Sequence, residues 1–281
     1  MDLEHGALSA RESHLVASPP LDRESSGLAF FPVLGVECFA GEPGTAARAV
    51  AERALAGSGG YCCFCNVHVL GLVQRHEDVR HALEDAWIVF PDGAPVAWLQ
   101  RRFGVASQRV PGPDLMPSVL RLGLPAGLRH FLFGSTPEVL DALQERLGVM
   151  YPGIRIAGAL SPPLGVTSEH RWRWAIDEIS RTEPHVVWCA LGAPKQELWM
   201  HRYASGLSPA LVLGVGAAFD FLAGTKHRAP LWMQRCSLEW LHRLASEPRR
   251  LSGRYVRTNS AFVLRAGIEL LKRRRLAERP V

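Results

Sequence analysis

No stretch of the chain approaches the roughly 18 consecutive apolar residues that a membrane-spanning helix needs. The longest apolar run, LVLGVGAAF from Leu211 to Phe219, is far shorter and holds two glycines. The opening residues, MDLEHGALSARESH, have neither a basic start nor an apolar segment, so no secretory leader is expected. Cysteine is scarce and unevenly spread. Cys62, Cys63 and Cys65 cluster, while Cys38, Cys189 and Cys236 sit singly, a pattern unlike a secreted disulfide framework. Reduced thiols in a cytoplasm are the expectation. The Cys62–Cys65 cluster has no second ligand pair, so it reads as strand residues and not as a zinc site. HExxH, DxD, GxSxG and GxxxxGK[ST] are all missing, which removes the usual signatures of zinc peptidases, metal-clamped sugar-nucleotide enzymes, serine hydrolases and P-loop proteins.

What is present is a globular composition. The 281 residues are 47% hydrophobic and 21% charged, enough to bury a full core without covalent staples. The formal net charge of +5 conceals a split. From Arg228 to Val281 there are 13 Lys/Arg against 4 Asp/Glu, whereas the preceding residues carry a small acidic excess. Such a basic tail, interspersed with Trp232 and Trp240, suits an anionic partner: nucleic acid, an anionic membrane surface or a phosphorylated ligand.

Residues 1–27 are polar and aperiodic and read as a flexible tail. Residues 28–225 read as one catalytic domain of alternating strands and helices. Strands are expected at Phe31–Phe39, Tyr61–Cys65, Trp87–Phe90, Leu128–Phe133, Ile154–Ala157, His185–Leu191 and Ala210–Val215. Helices are expected at Thr45–Ala56, Val69–Glu84, Ala94–Phe103, Asp114–Leu122, Pro137–Leu147, Ser168–Arg181 and Gln196–Ala204. Alternation of this kind means βαβ units and an α/β fold with a mostly parallel sheet. Near-continuous apolar runs such as HVVWCAL suit strands covered by helices on both faces. Over residues 226–281 the strands stop. Leu231–Ser246 reads as one amphipathic helix, and a second helical stretch runs to about Arg275. These helices form a basic appendage that must dock on the body or on a surface.

In open parallel sheets ligands bind beyond the carboxyl ends of strands, and four such ends carry unusual residues. Asn66 and His68 follow Tyr61–Cys65. Taken alone they suit a helix N-cap and a core histidine better than a ligand site. Asp92 and Gly93 follow Trp87–Phe90, where a carboxylate on a rigid Pro/Gly loop serves equally as a general base or as a capping residue. Gly192, Pro194, Lys195, Gln196 and Glu197 follow HVVWCAL; a lysine and the amides of a helix start make a pocket suited to a diphosphate. Gly214, Gly216 and Asp220, with Arg228 beyond, follow the last strand. Gly214 and Gly216 would admit backbone close to a ligand, but the third glycine of a dinucleotide fingerprint is missing.

The ordered set of Asn66 with His68, PDG at Pro91–Gly93, GAPKQE at Gly192–Glu197, GVGAAFDFLAG at Gly214–Gly224, RAP at Arg228–Pro230 and LEWLHRLASEPRR at Leu238–Arg250 resembles the WecG/TagA/CpsF glycosyltransferases (glycosyltransferase family 26). The resemblance runs from about Val33 to Arg254. It implies a Rossmann-like, metal-independent, inverting enzyme that needs no cofactor. Such an enzyme moves an N-acetylmannosamine-type sugar from a UDP-sugar donor to a sugar on a polyprenyl diphosphate acceptor, at the inner face of the bacterial plasma membrane, in cell-surface polysaccharide synthesis. It further implies Asp92 as base and Gln196 as an active-site residue. Arg243, Arg250 and Arg254 would then meet the lipid diphosphate. Family members commonly carry threonine two residues before the motif asparagine. Phe64 stands there in this chain, which removes one hydroxyl from the pocket. A homo-oligomer is compatible with the sequence. A nucleic-acid-binding protein using the basic tail is the alternative, disfavoured because no aromatic-interleaved basic groove is evident on the body. A nucleotide-dependent oxidoreductase is disfavoured by the incomplete glycine fingerprint.

Overall fold

The computed structural model describes residues 26–162, 168–236, 238–246 and 248–277, with the side chains at 235, 243, 246, 248–257 and 273–277 outside that description. The flexible tail expected over residues 1–27 falls, apart from residues 26 and 27, outside the described residues. The first strand is in fact a hairpin. β1 (Phe30–Val33) and β2 (Val36–Phe39) pair antiparallel. Leu34 and Gly35 between them adopt φ of 50° and 86°, the left-handed turn that a two-residue hairpin loop requires. The apolar run continues through the turn, so alternation alone could not mark it.

Six strands form one parallel sheet: β3 (Tyr61–Cys65), β4 (Ile88–Pro91), β5 (Arg129–Gly134), β6 (Arg155–Leu160), β7 (Val186–Ala190) and β8 (Leu211–Gly214), in the order β4-β3-β8-β7-β5-β6. Side chains alternate between the two faces, and each face is covered. Cys63 and Cys65 of β3, Val187 and Cys189 of β7 and Val212 of β8 pack on one side with α2 (Val67–Val73), α3 (Glu77–Glu84), α4 (Ala94–Arg102), α7 (Glu169–Ser180) and α8 (Lys195–Tyr203). Cys62, Phe64, Trp188, Leu211 and Leu213 pack on the other with α1 (Pro43–Leu55), α5 (Gly112–Gly123), α6 (Pro137–Met150) and α9 (Ala218–Ala223). The α/β, Rossmann-like architecture expected from the sequence is thus present. Gln100 of α4, fully buried, fastens the hairpin to it: Nε2 donates to the Phe39 carbonyl at 3.1 Å and Oε1 accepts from Ser107 Oγ at 2.6 Å.

Two helix readings need correction. Val69–Glu84 is two helices, α2 and α3, because Gln74–His76 leaves the helical path between them. Leu231–Ser246 is likewise α10 (Leu231–Arg235) and α11 (Glu239–Ser246), broken at Cys236. The last helix, α12 (Pro248–Ala277), begins at Pro248, where a proline at the first turn lacks only an amide that has no partner there anyway. α12 lies against α2, with Phe262 and Ala266 buried in the core beside Val69 and Leu70. The helical appendage is therefore docked on the body. Among the described residues no helix is long and apolar enough to cross a membrane.

Candidate active site

β3 and β4 run parallel with Cys65 opposite Pro91, so the residues that follow, Asn66 and Asp92, emerge side by side. Asn66 does two jobs there. Its Oδ1 caps α2 by accepting from the His68 and Val69 amides at 3.0 and 3.2 Å, and its Nδ2 donates to Asp92 Oδ2 at 3.1 Å. The cap and the functional reading of Asn66 are thus compatible, since one end of the amide serves each. Gly93 permits the approach: a Cβ there would stand 3.2 Å from Asn66 Cβ.

β7 and β8 are aligned in the same way, Cys189 opposite Gly214, which brings the Gly192–Glu197 turn against Gly214–Ala218. Gln196, 5% exposed, ties these ends together. Its Oε1 accepts from the Gly192 amide at 3.2 Å, and its Nε2 donates to the Gly214 carbonyl at 2.8 Å and to Glu197 Oε1 at 2.9 Å. Both amide hydrogens and the carbonyl are committed, so Gln196 shapes the wall and has little capacity left for a ligand. Gly214 is small for the same reason. A Cβ there would fall 2.6 Å from Met200 Cε and 3.1 Å from Gln196 Nε2, so protein and not ligand fills the space beside it. Gly216, at φ 54°, makes the turn that follows.

These four strand ends open on one cavity of about 530 Å³, where β8 sits between two halves of the sheet built in opposite directions. Asn66, His68, Asp92, Gly93, Gly192, Gln196, Glu197, Gly214 and Gly216 line it, as does Phe64, whose ring packs on Phe90 at 5.3 Å. Asp92 and the 192–197 turn therefore share one crevice. Three helices of at least nine residues, α4, α5 and α8, begin at its wall without a side-chain cap. Each helix start carries about half a positive charge, so an anion is favoured here. Gly112 lets the start of α5 approach the end of β8 closely: a Cβ there would stand 3.1 Å from the Val215 carbonyl oxygen. A cation, Arg109, lines the same cavity.

Not every sequence-predicted residue converges on the cavity. The Lys195 ammonium lies 5.0 Å from the centre of the Trp172 ring, and neither Lys195 nor Pro194 lines the cavity. Successive helical residues point about 100° apart, so Lys195 and Gln196 cannot face the same side. Asp220 pairs with Lys226 at 3.6 Å, away from the cavity lining. Arg228 is a strut: it grips Asp114 of α5 with both terminal nitrogens and donates from Nε to Glu239 Oε1 at 3.1 Å. Arg243 lies within α11 and Arg250 and Arg254 within α12; their side chains lie outside the described residues.

Several lining residues escaped the sequence reading. Arg109 holds Glu239 Oε2 at 2.9 Å, and both border the cavity. Burial would raise the Glu239 carboxyl pKa, but the charges and hydrogen bonds of Arg228 and Arg109 prevail and hold it below the ordinary value. Trp240, Thr258, Asn259, Phe262 and Val263 of the appendage complete the wall. Only the tryptophan gave a signal in the sequence, and nothing there could show that the others would reach back across the body. Among the described residues there is no group of three or more His, Cys, Asp or Glu side chains arranged to hold a metal ion.

A family model described as "Glycosyl transferase WecG/TagA/CpsF family" matches residues 31–276. Over 177 residues the chain is 34% identical to the N-acetylglucosaminyldiphosphoundecaprenol N-acetyl-beta-D-mannosaminyltransferase of Bacillus spizizenii, covering 63% of this chain and 66% of that protein. It is 31% identical over the same length to the protein of that name from Bacillus subtilis, covering 63% and 67%. The match thus spans about two thirds of the length of these relatives.

Proposed function

Since the chain belongs to the WecG/TagA/CpsF glycosyltransferase family, we propose that its cavity transfers a hexose of the N-acetylmannosamine type from a UDP-sugar to a sugar carried on a polyprenyl diphosphate. The two relatives are named for a transfer of this kind onto N-acetylglucosaminyldiphosphoundecaprenol. The observation that carries the proposal for this chain is the single crevice whose lining a carboxylate, Asp92, shares with the uncapped starts of α5 and α8. In the proposed step a hydroxyl of the acceptor sugar attacks C1 of the donor. The bond from C1 to the diphosphate oxygen breaks, UDP departs with the electron pair, and Asp92 takes the hydroxyl proton. One displacement inverts C1. Asn66, fixed by its capping bonds, donates to Asp92 at 3.1 Å and so orients the proposed base. The starts of α4, α5 and α8 and Arg109 stabilise charge that grows on the diphosphate, where preorganised donors act most strongly.

The appendage supports a lipid acceptor. Leu231, Trp232, Leu241, Leu264 and Leu271 are exposed on α10–α12, and Trp240 and Val263 are both exposed and part of the cavity wall. Exposed apolar side chains of the appendage thus reach the cavity wall, in a segment rich in Arg and Lys. We propose that residues 226–281 lie on an anionic membrane surface at the cytoplasmic side, presenting the mouth to a lipid whose diphosphate meets Arg243, Arg250 or Arg254. Apolar burial and about 1 kcal/mol per basic residue near the surface would hold it there. The test is an assay with UDP-N-acetylmannosamine and a short-chain lipid diphosphate N-acetylglucosamine. Formation of a disaccharide lipid with UDP release is expected. UDP-sugar hydrolysis without transfer, or no turnover with any UDP-hexose, would overturn the proposal.

A further inference from the structure

Glu197 is 1% exposed, yet it borders the cavity. Its two oxygens are treated unequally. Oε1 accepts from Gln196 Nε2 at 2.9 Å, while Oε2 is buried with no hydrogen-bond partner. A buried, unpartnered carboxyl oxygen costs free energy, so its persistence on the wall of a ligand-sized cavity points to a partner that arrives with the ligand. The carboxyl also sits in the first turn of α8, where the helix start favours its ionised form and burial opposes it.

We infer that Glu197 is a substrate-binding residue that donates a hydrogen bond from protonated Oε2 to a diphosphate oxygen of the donor. The inference rests on the UDP-sugar reading above. A carboxylate would repel the diphosphate, whereas the neutral acid supplies the one donor an anion can use. The environment is suited to keeping the proton. Burial pushes the Glu197 pKa up to about 7, against the hydrogen bond from Gln196, which acts the other way. The ionisable groups around it are Cys189 of β7 and Lys195 of the same turn, and His201 one turn on, which faces Asp85 at 3.6 Å. Asp92, His68, Arg109 and Glu239 stand on the other walls. An incoming diphosphate adds negative charge and favours protonation further.

The sign follows directly. If only the protonated form binds, affinity is lost as pH rises through 7. The protonated fraction falls from about one half at pH 7 to about one hundredth at pH 9, a weakening of about fiftyfold. The probe is UDP itself, its dissociation constant measured by calorimetry from pH 7 to 9 for the wild-type chain and for Glu197→Gln. Gln196 holds the amide oxygen of the variant, leaving its NH₂ where Oε2 was, a donor at every pH. The wild type is expected to weaken about fiftyfold and take up nearly one proton per UDP at pH 8, with the variant changing less than threefold. A flat wild-type profile, or a variant that weakens in parallel, overturns the role of Glu197 and leaves the glycosyltransferase reading intact. No UDP binding by the wild type at either pH overturns the donor reading and this inference with it.

Discussion

Replacing Glu239 by glutamine removes the charge on which the appendage is hung. Glu239 of α11 accepts from Arg228 at 3.1 Å and from Arg109 at 2.9 Å, with side-chain exposures of 16%, 19% and 22%. At an effective dielectric constant of about 20, each contact of this kind has a gross attraction of about 4 kcal/mol, much of it offset by desolvation. Breaking a fully buried pair costs about 3–5 kcal/mol. Partial solvent access here reduces that, and Arg228 keeps Asp114, so about 2–3 kcal/mol is expected for Glu239→Gln. The loss should fall locally, because the carboxyl joins α11 to the Arg109 loop and to Arg228, which in turn grips α5. Denaturant unfolding would report the total. Hydrogen exchange would report its place, with amides of 239–246 and the neighbouring turns of α12 exchanging tens of times faster while those of β3, β7 and β8 hold. The same link has a pH signature. Its stabilisation is complete above about pH 4.5, the ordinary glutamate value, and declines as pH falls through the lower value of the folded state. A variant within about 0.5 kcal/mol of wild type, with unchanged exchange in α11, would refute the reasoning.

Gln196→Leu should cost about 2–3 kcal/mol in denaturant unfolding, since it leaves the Gly192 amide and Gly214 carbonyl without their side-chain partner. Gly214→Ala should lower stability by about 1–3 kcal/mol, read as a drop in melting temperature, because its methyl would meet Met200 Cε at 2.6 Å. Leu231→Ser with Trp232→Ser should reduce sedimentation with anionic vesicles and leave UDP binding by calorimetry within about threefold, as Leu231 is 67% and Trp232 61% exposed and neither lines the cavity. Burial depresses His130, with a lesser push from His185, to a pKa of about 4. Its contribution is whole above pH 6.5 and is lost as pH falls toward 4, so unfolding free energy should drop by about 3 kcal/mol over that window. In His130→Gln, which still accepts from Trp188 Nε1, that part of the slope should vanish in denaturant titrations.

The parallel sheet was legible because its signal is local. Apolar runs such as YCCFC and HVVWCAL carry it themselves, and β3 lies where the run predicts. Glycine and proline at strand ends marked the crevice, and Asn66, Asp92 and Gln196 do line one cavity. What a turn contains was legible; which way each side chain leaves it was not. Lys195 and Gln196 are neighbours in sequence but diverge by a helical step, one to the Trp172 ring and the other into the wall. The joints between distant segments left no trace. Arg109 meets Glu239 across 130 residues, and Thr258 packs near Gly71. α10 and α11 merged into one helix because leucines at positions 231, 238, 241 and 244 keep a helical spacing across the break at Cys236.

The central proposal is that the Asp92 carboxylate takes the acceptor's proton. Asp92→Asn keeps the shape and can still contact Asn66, but cannot accept that proton. Single-turnover transfer from a UDP-sugar to a lipid diphosphate acceptor, with UDP affinity measured alongside, should show a rate about 10²–10⁴ times lower and an affinity within about threefold. Transfer at the wild-type rate by Asp92→Asn would contradict it.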